Sequence, residues 1–366
     1  MSLTTLERSI IGSGTSSCPE SYGSSIQEGG SDSTAKNLRL AFLGCEALPP
    51  YGPCEHTAKL FMDLIAVAWS LALAPRQQRT LILDVFAASE GELPSEDNLS
   101  GFDGVILPGS FSSAYETNAP WILNLGDWIQ TLLVKKEVPA LGVCFGHQLY
   151  AHSFRGESGG GIATKCPAGP QAGRKITRLT PSGRAFLDVA QNSQGGEELA
   201  SIFQSKGCHN SNNNCRDDVK NSLELFYTHG DMVESLPPSG ISLGGNETVP
   251  VQSAVYFSSP PSPGDDPAAW IRTNGRSGNG GDTDYQRVIA VTFQAHPEFA
   301  SLGGKIKNAK GEETFFNTVR LMRDNGDLSK EDCEEALSDA EKCCNHVNHH
   351  SLEAIIGAGR LLGWFK

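Results

Sequence analysis

The amino-acid sequence predicts an α/β fold, a mostly parallel central sheet with helices on both faces, and three observations predict it. Short, mainly apolar segments recur along the chain, as expected of strands buried on both sides. Segments with helical periodicity separate them. Several of the apolar runs end in Gly or in polar, potentially reactive residues, and ligands in open α/β sheets collect at the carboxyl ends of strands.

The first of these runs is LRLAFLGC at 38–45, followed by a loop with Pro49, Pro50 and Gly52. From Glu55 to Ala74 apolar residues recur at intervals of three and four, including Leu60, Leu64 and Val67, which predicts a helix. TLILDVF at 80–86 and GVILPGS at 104–110 read as strands, 121–136 as an amphipathic helix, and VPALGVCFG at 138–146 as a buried strand running into a turn. LELFYTHGD at 223–231 and RVIAVTFQAHPEF at 287–299 are two further strands.

Three regions stand apart. Residues 1–36 are dominated by Ser, Gly and Thr, bury too little apolar surface to offset chain entropy, and are expected to form a disordered tail. The segments 191–222, rich in Asn, Ser and Gly, and 258–284, rich in Pro, Gly and Asp, read as surface insertions in the domain spanning 37–326. Residues 327–366 read as a C-terminal helical extension, of which 329–350, rich in Glu, Asp and Lys, is expected to face solvent.

The net charge of −13 is spread along 366 residues with no basic cluster interleaved with aromatics, which argues against a nucleic-acid partner. No apolar run approaches the length needed to span a bilayer, and the N-terminus lacks a basic start followed by an apolar stretch, so a cytoplasmic protein with no membrane partner is expected. The ten cysteines are irregularly placed, which fits reduced thiols better than a disulfide framework. Cys343 and Cys344 lie near His346, His349 and His350, but the spacing matches no known zinc-ligand pattern, and no metal or other cofactor is expected. The glycine run in GGGIATKCPAGPQAG (159–173) has no P-loop Lys in the required order and reads as a flexible turn.

The strongest chemical signal is Gly142-Val143-Cys144-Phe145-Gly146-His147-Gln148, where a strand turns sharply into a helix. Small residues on both sides of Cys144 suit the strained, close-packed backbone of a nucleophile elbow. A helix N-terminus also favours the thiolate, the reactive form. The second signal is Gln294-Ala295-His296-Pro297-Glu298-Phe299 at the end of the last strand. His296 supplies a general base and acid, and Glu298 two positions later can hold the imidazole in its working tautomer.

In these blocks the chain resembles the class I, or triad-type, glutamine amidotransferase family. More narrowly it is similar to stand-alone members related to GMP synthase, including plant γ-glutamyl peptidases and their fungal relatives. The resemblance runs from about Leu38 to Met322 and includes Tyr51-Gly52, FDGVILPGSFSSAYE, the elbow, THGDMV at 228–233 and QAHPEF. It implies a flavodoxin-like sheet, Cys144 as nucleophile, and His296 and Glu298 as the rest of a triad. It further implies an oxyanion hole at the backbone N–H groups of Gly109 and Phe145, and a substrate pocket lined by Ser110, Gln148, His229, Gly230 and Asp231.

The implied chemistry is cleavage of a γ-glutamyl amide through a covalent thioester. The favoured expectation is a stand-alone γ-glutamyl hydrolase acting on glutathione-type metabolites. The first alternative is a glutaminase subunit; because the chain shows no SGGxDS-type pyrophosphatase loop, its synthetase partner would act in trans. The second alternative, a catalytically silent regulatory subunit, is disfavoured by the intact Cys-His-Glu set. The two insertions and the 159–173 stretch, where Gln171 precedes Ala172-Gly173, depart from the family pattern and leave the substrate open.

Overall fold

The computed structural model describes residues 4–11, 37–49, 51–73, 77–156, 159–191, 221–276, 286–300 and 309–365. In chain order the strands are β1 (Thr4–Ile11), β2 (Leu38–Leu43), β3 (Gln78–Phe86), β4 (Gly104–Leu107), β5 (Ala140–Val143), β6 (Ile162–Lys165), β7 (Gln171–Leu179), β8 (Ser222–His229), β9 (Asp231–Ser235), β10 (Gly240–Gly245), β11 (Ser253–Phe257) and β12 (Val288–Phe293). The principal helices are α1 (Cys54–Ala72), α2 (Pro120–Trp128), α3 (Phe145–His152), α4 (Pro181–Gln191), α5 (Pro267–Arg276), α6 (Ala309–Asp324) and α7 (Lys330–Leu361).

Ten strands form one sheet in the order β1-β3-β2-β4-β5-β12-β11-β10-β7-β8. The five from β3 to β12 are mutually parallel, as the alternation of strand and helix predicts. Every residue of β4, β5 and β12 is buried, because helices cover both faces of a parallel sheet. Beyond β12 the sheet continues through β11, β10, β7 and β8 with antiparallel pairing throughout. In this half β10 and β11 are joined by a short return, while α4 lies between β7 and β8 and α5 between β11 and β12, so helices occur here without the parallel pairing of a βαβ unit.

Residues 4–11, expected as part of a disordered tail, form an edge strand antiparallel to β3. It is docked by its side chains: Thr5 Oγ1 donates to Asp84 at 2.6 Å, Thr4 Oγ1 to Glu55 at 3.0 Å, and Arg8 pairs with Asp63 of α1. The alternation Thr-Thr-Leu-Glu-Arg-Ser-Ile-Ile suits one face packed and one wet, with Ile10 buried. Residues 12–36 and 192–220 lie outside the described residues, so the tail and the first insertion are described only at their borders.

In the second insertion, 267–276 is the helix α5, whose Trp270 meets Phe257 edge-on at 5.2 Å and whose Ile271 is buried. The 159–173 stretch is more than a flexible turn. Gly159 does adopt φ +74°, but 162–165 form β6, paired with β9, and Gly161 fits so closely that a Cβ there would lie 2.2 Å from the Ala151 carbonyl oxygen.

The solvent-facing reading of 329–350 also fails. Ser329 caps α7 by accepting from Asp332 N at 3.0 Å, and Glu331 and Asp332 complement the helix dipole. Its Cys333, Ala336 and Ala340, spaced at three, four and seven, then pack with Phe226, Phe299 and Phe315. Val347, Asn348, His350 and the side chains from Ser351 to Ala358 are buried under the sheet. Gly357 lets Phe186 approach, since a Cβ would come within 2.7 Å of that ring. Trp364 closes the end by donating Nε1–H to the Asp103 carbonyl at 3.1 Å, and Phe365 stacks on Trp69 of α1. This cover explains why α1 is apolar on most of its circumference: it lies between the sheet and α7.

Candidate active site

The carboxyl ends of β4, β5 and β12 meet at one point, and the polar residues singled out from the sequence gather there. Cys144 joins β5 to α3 with φ +51° and ψ −106°, a backbone conformation that L residues rarely adopt. The surroundings hold it: its N–H donates to Phe293 O of β12 at 2.8 Å, and its carbonyl accepts the first helical bond from Gln148 N at 3.0 Å. The flanking glycines are required by space. A Cβ on Gly146 would lie 2.0 Å from Leu107 O, and one on Gly142 would lie 2.8 Å from Thr292 Cγ2.

His147, which the elbow motif contains without a role, anchors the turn from behind. Its Nε2–H donates to Val251 O at 3.2 Å, which leaves Nδ1 to accept from Thr292 Oγ1 at 2.7 Å. Burial pushes its pKa down to about 4, so the ring is neutral.

His296 follows β12 and is tied to the far edge of the sheet by its N–H to Phe226 O of β8, 2.8 Å away. Its Nδ1 donates to Glu298 Oε1 at 2.7 Å, and both side chains are at most 1 % exposed. The turn Pro297–Phe299 brings the carboxylate back onto the ring. Phe299 stacks on the imidazole at 4.4 Å and nearly parallel, and Tyr51 lies 6.5 Å away on the loop before α1. Burial alone would lower the pKa of His296, but the negative charges of Cys144 and Glu298 outweigh it and raise it to about 10. Cys144 acts on the ring as a charge and a partner, yet Nε2 makes no hydrogen bond of good geometry. Cys144 therefore bears on His296 through its charge rather than through a formed hydrogen bond.

Gly109, after β4, lies against both groups: a Cβ there would come within 2.8 Å of His296 Cε1 and 3.6 Å of Cys144 Cβ. Phe145 is the first residue of α3. The other expected residues also converge. Gln148 Nε2 donates to Asp231 O at 2.9 Å, and His229 Nδ1 donates to the same carbonyl at 2.9 Å. Burial drives His229 down to about 3, so it is neutral, with Nε2 left as a bare acceptor. Nothing crowds the Cα of Gly230. The Asp231 carboxylate is engaged by Ser113 Oγ at 2.6 Å and Tyr115 OH at 2.8 Å, which ties the loop after β4 to β9. The 222–229 strand thus reaches Cys144 from the opposite edge of the sheet, with Thr228 O 3.9 Å from Cys144 Sγ.

Two residues were not singled out from the sequence as site residues. Glu46, just past β2, accepts through Oε1 from Ala47 N and Leu48 N, at 2.9 and 2.8 Å, and through Oε2 from Phe111 N and Ser110 Oγ, at 3.2 and 3.4 Å. It therefore fastens the loop bearing Gly109 and Ser110 to its neighbour. Its place at the carboxyl end of a parallel strand was the available signal. Gln294, in the quoted motif but given no role, donates Nε2–H to Cys144 Sγ at 3.7 Å.

Among the described residues no group of three or more His, Cys, Asp or Glu could hold a metal ion; the side chains of Cys343, Cys344 and His346 lie outside them. Nor is any described helix long and apolar enough to cross a membrane.

Comparison with known proteins follows the same lines. Residues 74–251 match the family model of class-I glutamine amidotransferases, a span that includes Cys144 and ends before His296. The chain is 36% identical over 175 residues to gamma-glutamyl peptidase 5 of Arabidopsis thaliana, covering 47% of this chain and 56% of that one. It is 29% identical over 170 residues to gamma-glutamyl peptidase 3 of the same plant, covering 46% and 55%. The match thus spans about half the length of these relatives. A 25% identity over 160 residues links it to the glutamine-hydrolyzing GMP synthase of Neisseria meningitidis, covering 42% of this chain and 22% of that enzyme. The crystal structure of a glutamine amidotransferase from Thermotoga maritima shares the fold, with a TM-score of 0.51 and 18% identity, covering 89% of this chain and 99% of that one.

Proposed function

Since this chain carries a class-I glutamine amidotransferase domain, we propose that it hydrolyses a γ-glutamyl amide bond through a glutamyl-thioester on Cys144. The observation that supports this best is the buried His296–Glu298 pair, 2.7 Å apart, beside a cysteine held at positive φ on a helix N-terminus. In this reading Cys144 Sγ attacks the γ-carbonyl while the N–H groups of Gly109 and Phe145 receive the developing oxyanion. Protonated His296 gives its Nε2 proton to the departing amine. Neutral His296 then takes a proton from water, which attacks the thioester, releases glutamate and restores the thiolate. Glu298 keeps Nδ1 protonated, so that Nε2 is the atom that cycles.

The substrate's α-amino and carboxylate groups are assigned to Ser110, Gln148, His229, Gly230 and Asp231. The bare Nε2 of His229 suits an ammonium donor, and the open space over Gly230 admits it. With its carboxylate held by Ser113 and Tyr115, Asp231 contributes chiefly by shaping this wall. Similarity to the plant peptidases favours γ-glutamyl peptides or glutathione-type conjugates as substrates. Similarity to GMP synthase supports a second reading, a glutaminase that supplies ammonia to a synthetase in trans. The cysteines at 45, 54, 144, 166 and 333 are free thiols, which suits a reducing compartment such as the cytoplasm.

The test is glutamate release from purified protein given glutamine, glutathione and a glutathione S-conjugate in parallel, with Cys144→Ala as control. Release from the γ-glutamyl peptides that needs Cys144 and exceeds release from glutamine is the expected result. Preference for glutamine would favour the second reading, and no release from any substrate would overturn both.

A further inference from the structure

The environment of the Cys144 sulfur contains a donor that the triad does not account for. Gln294 ends the β12 segment, is fully buried, and has its own N–H bonded to Gln252 O at 2.8 Å. Its side chain spans from Gln148 to the sulfur: Oε1 accepts from Gln148 Nε2 at 3.2 Å, and Nε2 lies 3.7 Å from Cys144 Sγ.

The orientation of both amides follows from one atom. The main-chain oxygen of Asp231 can only accept, so Gln148 must turn its NH2 group toward it, at 2.9 Å. The second hydrogen of that NH2 then points at Gln294, which must answer with its oxygen. The NH2 of Gln294 is thereby left facing Cys144. Reversing Gln294 would set two NH2 groups against each other and an oxygen lone pair against the sulfur. The same Asp231 oxygen also accepts from His229 Nδ1, so its position is fixed by two buried donors.

We infer that Gln294 is a catalytic residue: its side-chain N–H hydrogen-bonds the Cys144 thiolate, and the Asp231 carbonyl, acting through Gln148, holds it in that orientation. The inference rests on the reading of Cys144 as nucleophile and adds a partner to it. A thiol donates, and its S–H has Thr228 O to point at, 3.9 Å away; a thiolate can only accept, and Gln294 is placed to supply the bond. Charge-assisted hydrogen bonds are about twice as strong as neutral ones, so this contact favours the thiolate over the thiol and over the neutral thioester. It therefore also favours the sulfur as the leaving group when the thioester breaks down.

The other ionisable groups that face Cys144 are His296, with Glu298 behind it, and the Tyr51 hydroxyl from the loop before α1. The variants below leave all three in place.

The experiment is the rate of Cys144 alkylation by iodoacetamide as a function of pH, which needs no substrate; Cys144→Ala gives the background from the other cysteines. Gln294→Met keeps the side-chain length but removes the donor without adding a charge. It is expected to raise the midpoint of the alkylation profile by about one pH unit and slow alkylation near neutrality about tenfold. Gln148→Met leaves Gln294 intact but unoriented and is expected to shift the midpoint in the same direction by less. An unchanged midpoint in a folded Gln294→Met protein overturns the inference. If Gln294→Met does not fold, an unchanged midpoint in Gln148→Met does so. Either result is separate from the glutamate assay, because a chain that fails to release glutamate can still show Gln294-dependent alkylation.

Discussion

The two halves of the sheet solve the same problem, burying strands, by different means, and the active site needs both. The parallel half, β3 to β12, is held by apolar runs under helices and contributes the strand ends bearing Gly109, Cys144 and His296. The antiparallel half is held to α7 partly by polar contacts: Arg174 of β7 pairs with Glu224 of β8 at 2.6 Å and with Asp339 of α7 at 2.9 Å, and Glu224 N donates to His350 Nδ1 at 2.9 Å. From this half come Thr228, His229 and the carbonyl that anchors His296. In the proposed reaction the parallel half supplies the reacting groups, and the antiparallel half shapes their surroundings.

The largest effects should come from its close backbone approaches. A Cβ on Gly146 would lie 2.0 Å from Leu107 O in the parallel half, and one on Gly183 would lie 1.8 Å from Leu243 O in the antiparallel half. Each Gly→Ala change is expected to lower stability by about 3 kcal/mol in chemical denaturation. Only Gly146→Ala should also slow Cys144 alkylation in the folded fraction; equal slowing by both would erase the division. Arg174→Met leaves Glu224 and Asp339 facing each other and is expected to cost about 1–2 kcal/mol, discounted for partial exposure, with alkylation of Cys144 unchanged.

Glu46→Gln loses at least one of the four bonds that join the two loops beside the site. Turnover of the best γ-glutamyl substrate should fall about tenfold with little change in melting temperature. A drop in melting temperature without loss of turnover would make Glu46 merely structural.

The smallest effect is a pH dependence, read from the denaturation midpoint across the pH range. His147 and His229 are buried neutral, with folded values of about 4 and about 3, so their contribution is full above the unfolded value near about 6.5 and is lost as pH falls toward those values. His296 has the opposite sign: raised to about 10, it contributes fully below about 6.5 and loses that contribution as pH rises through about 10. Stability should therefore fall on both sides of neutrality, and a midpoint that kept rising with acid would contradict the buried neutral histidines.

The same division decided what could be read from the sequence. In the parallel half the strands declare themselves by mainly apolar runs, broken by Arg39 in β2 and by Asp84 in β3, and the elbow, His296 and Glu298 stand out at strand ends. The helix of α7 was legible but its packing was not, because residues 330–341 are charged on the faces that Cys333, Ala336 and Ala340 do not occupy, and small apolar residues carry little signal alone. β1 lay within a Ser/Gly-rich segment whose average composition hid eight residues of alternation. Glu46 and Gln294 act through partners distant in sequence, 65 residues away at Phe111 and 150 at Cys144, which no local pattern encodes. Asp231, to which the family resemblance gives a substrate role, has its carboxylate occupied by Ser113 and Tyr115.

The central claim, a covalent glutamyl intermediate on Cys144, is tested most directly by acid-quenching the protein during turnover of a γ-glutamyl substrate and mapping the adduct by mass spectrometry. The account predicts one glutamyl group on the peptide containing Cys144, labile to mild base as a thioester is, and absent from Cys144→Ala. Glutamate release that proceeds with no adduct in His296→Ala, where deacylation is slowed, or that survives Cys144→Ala, would contradict it.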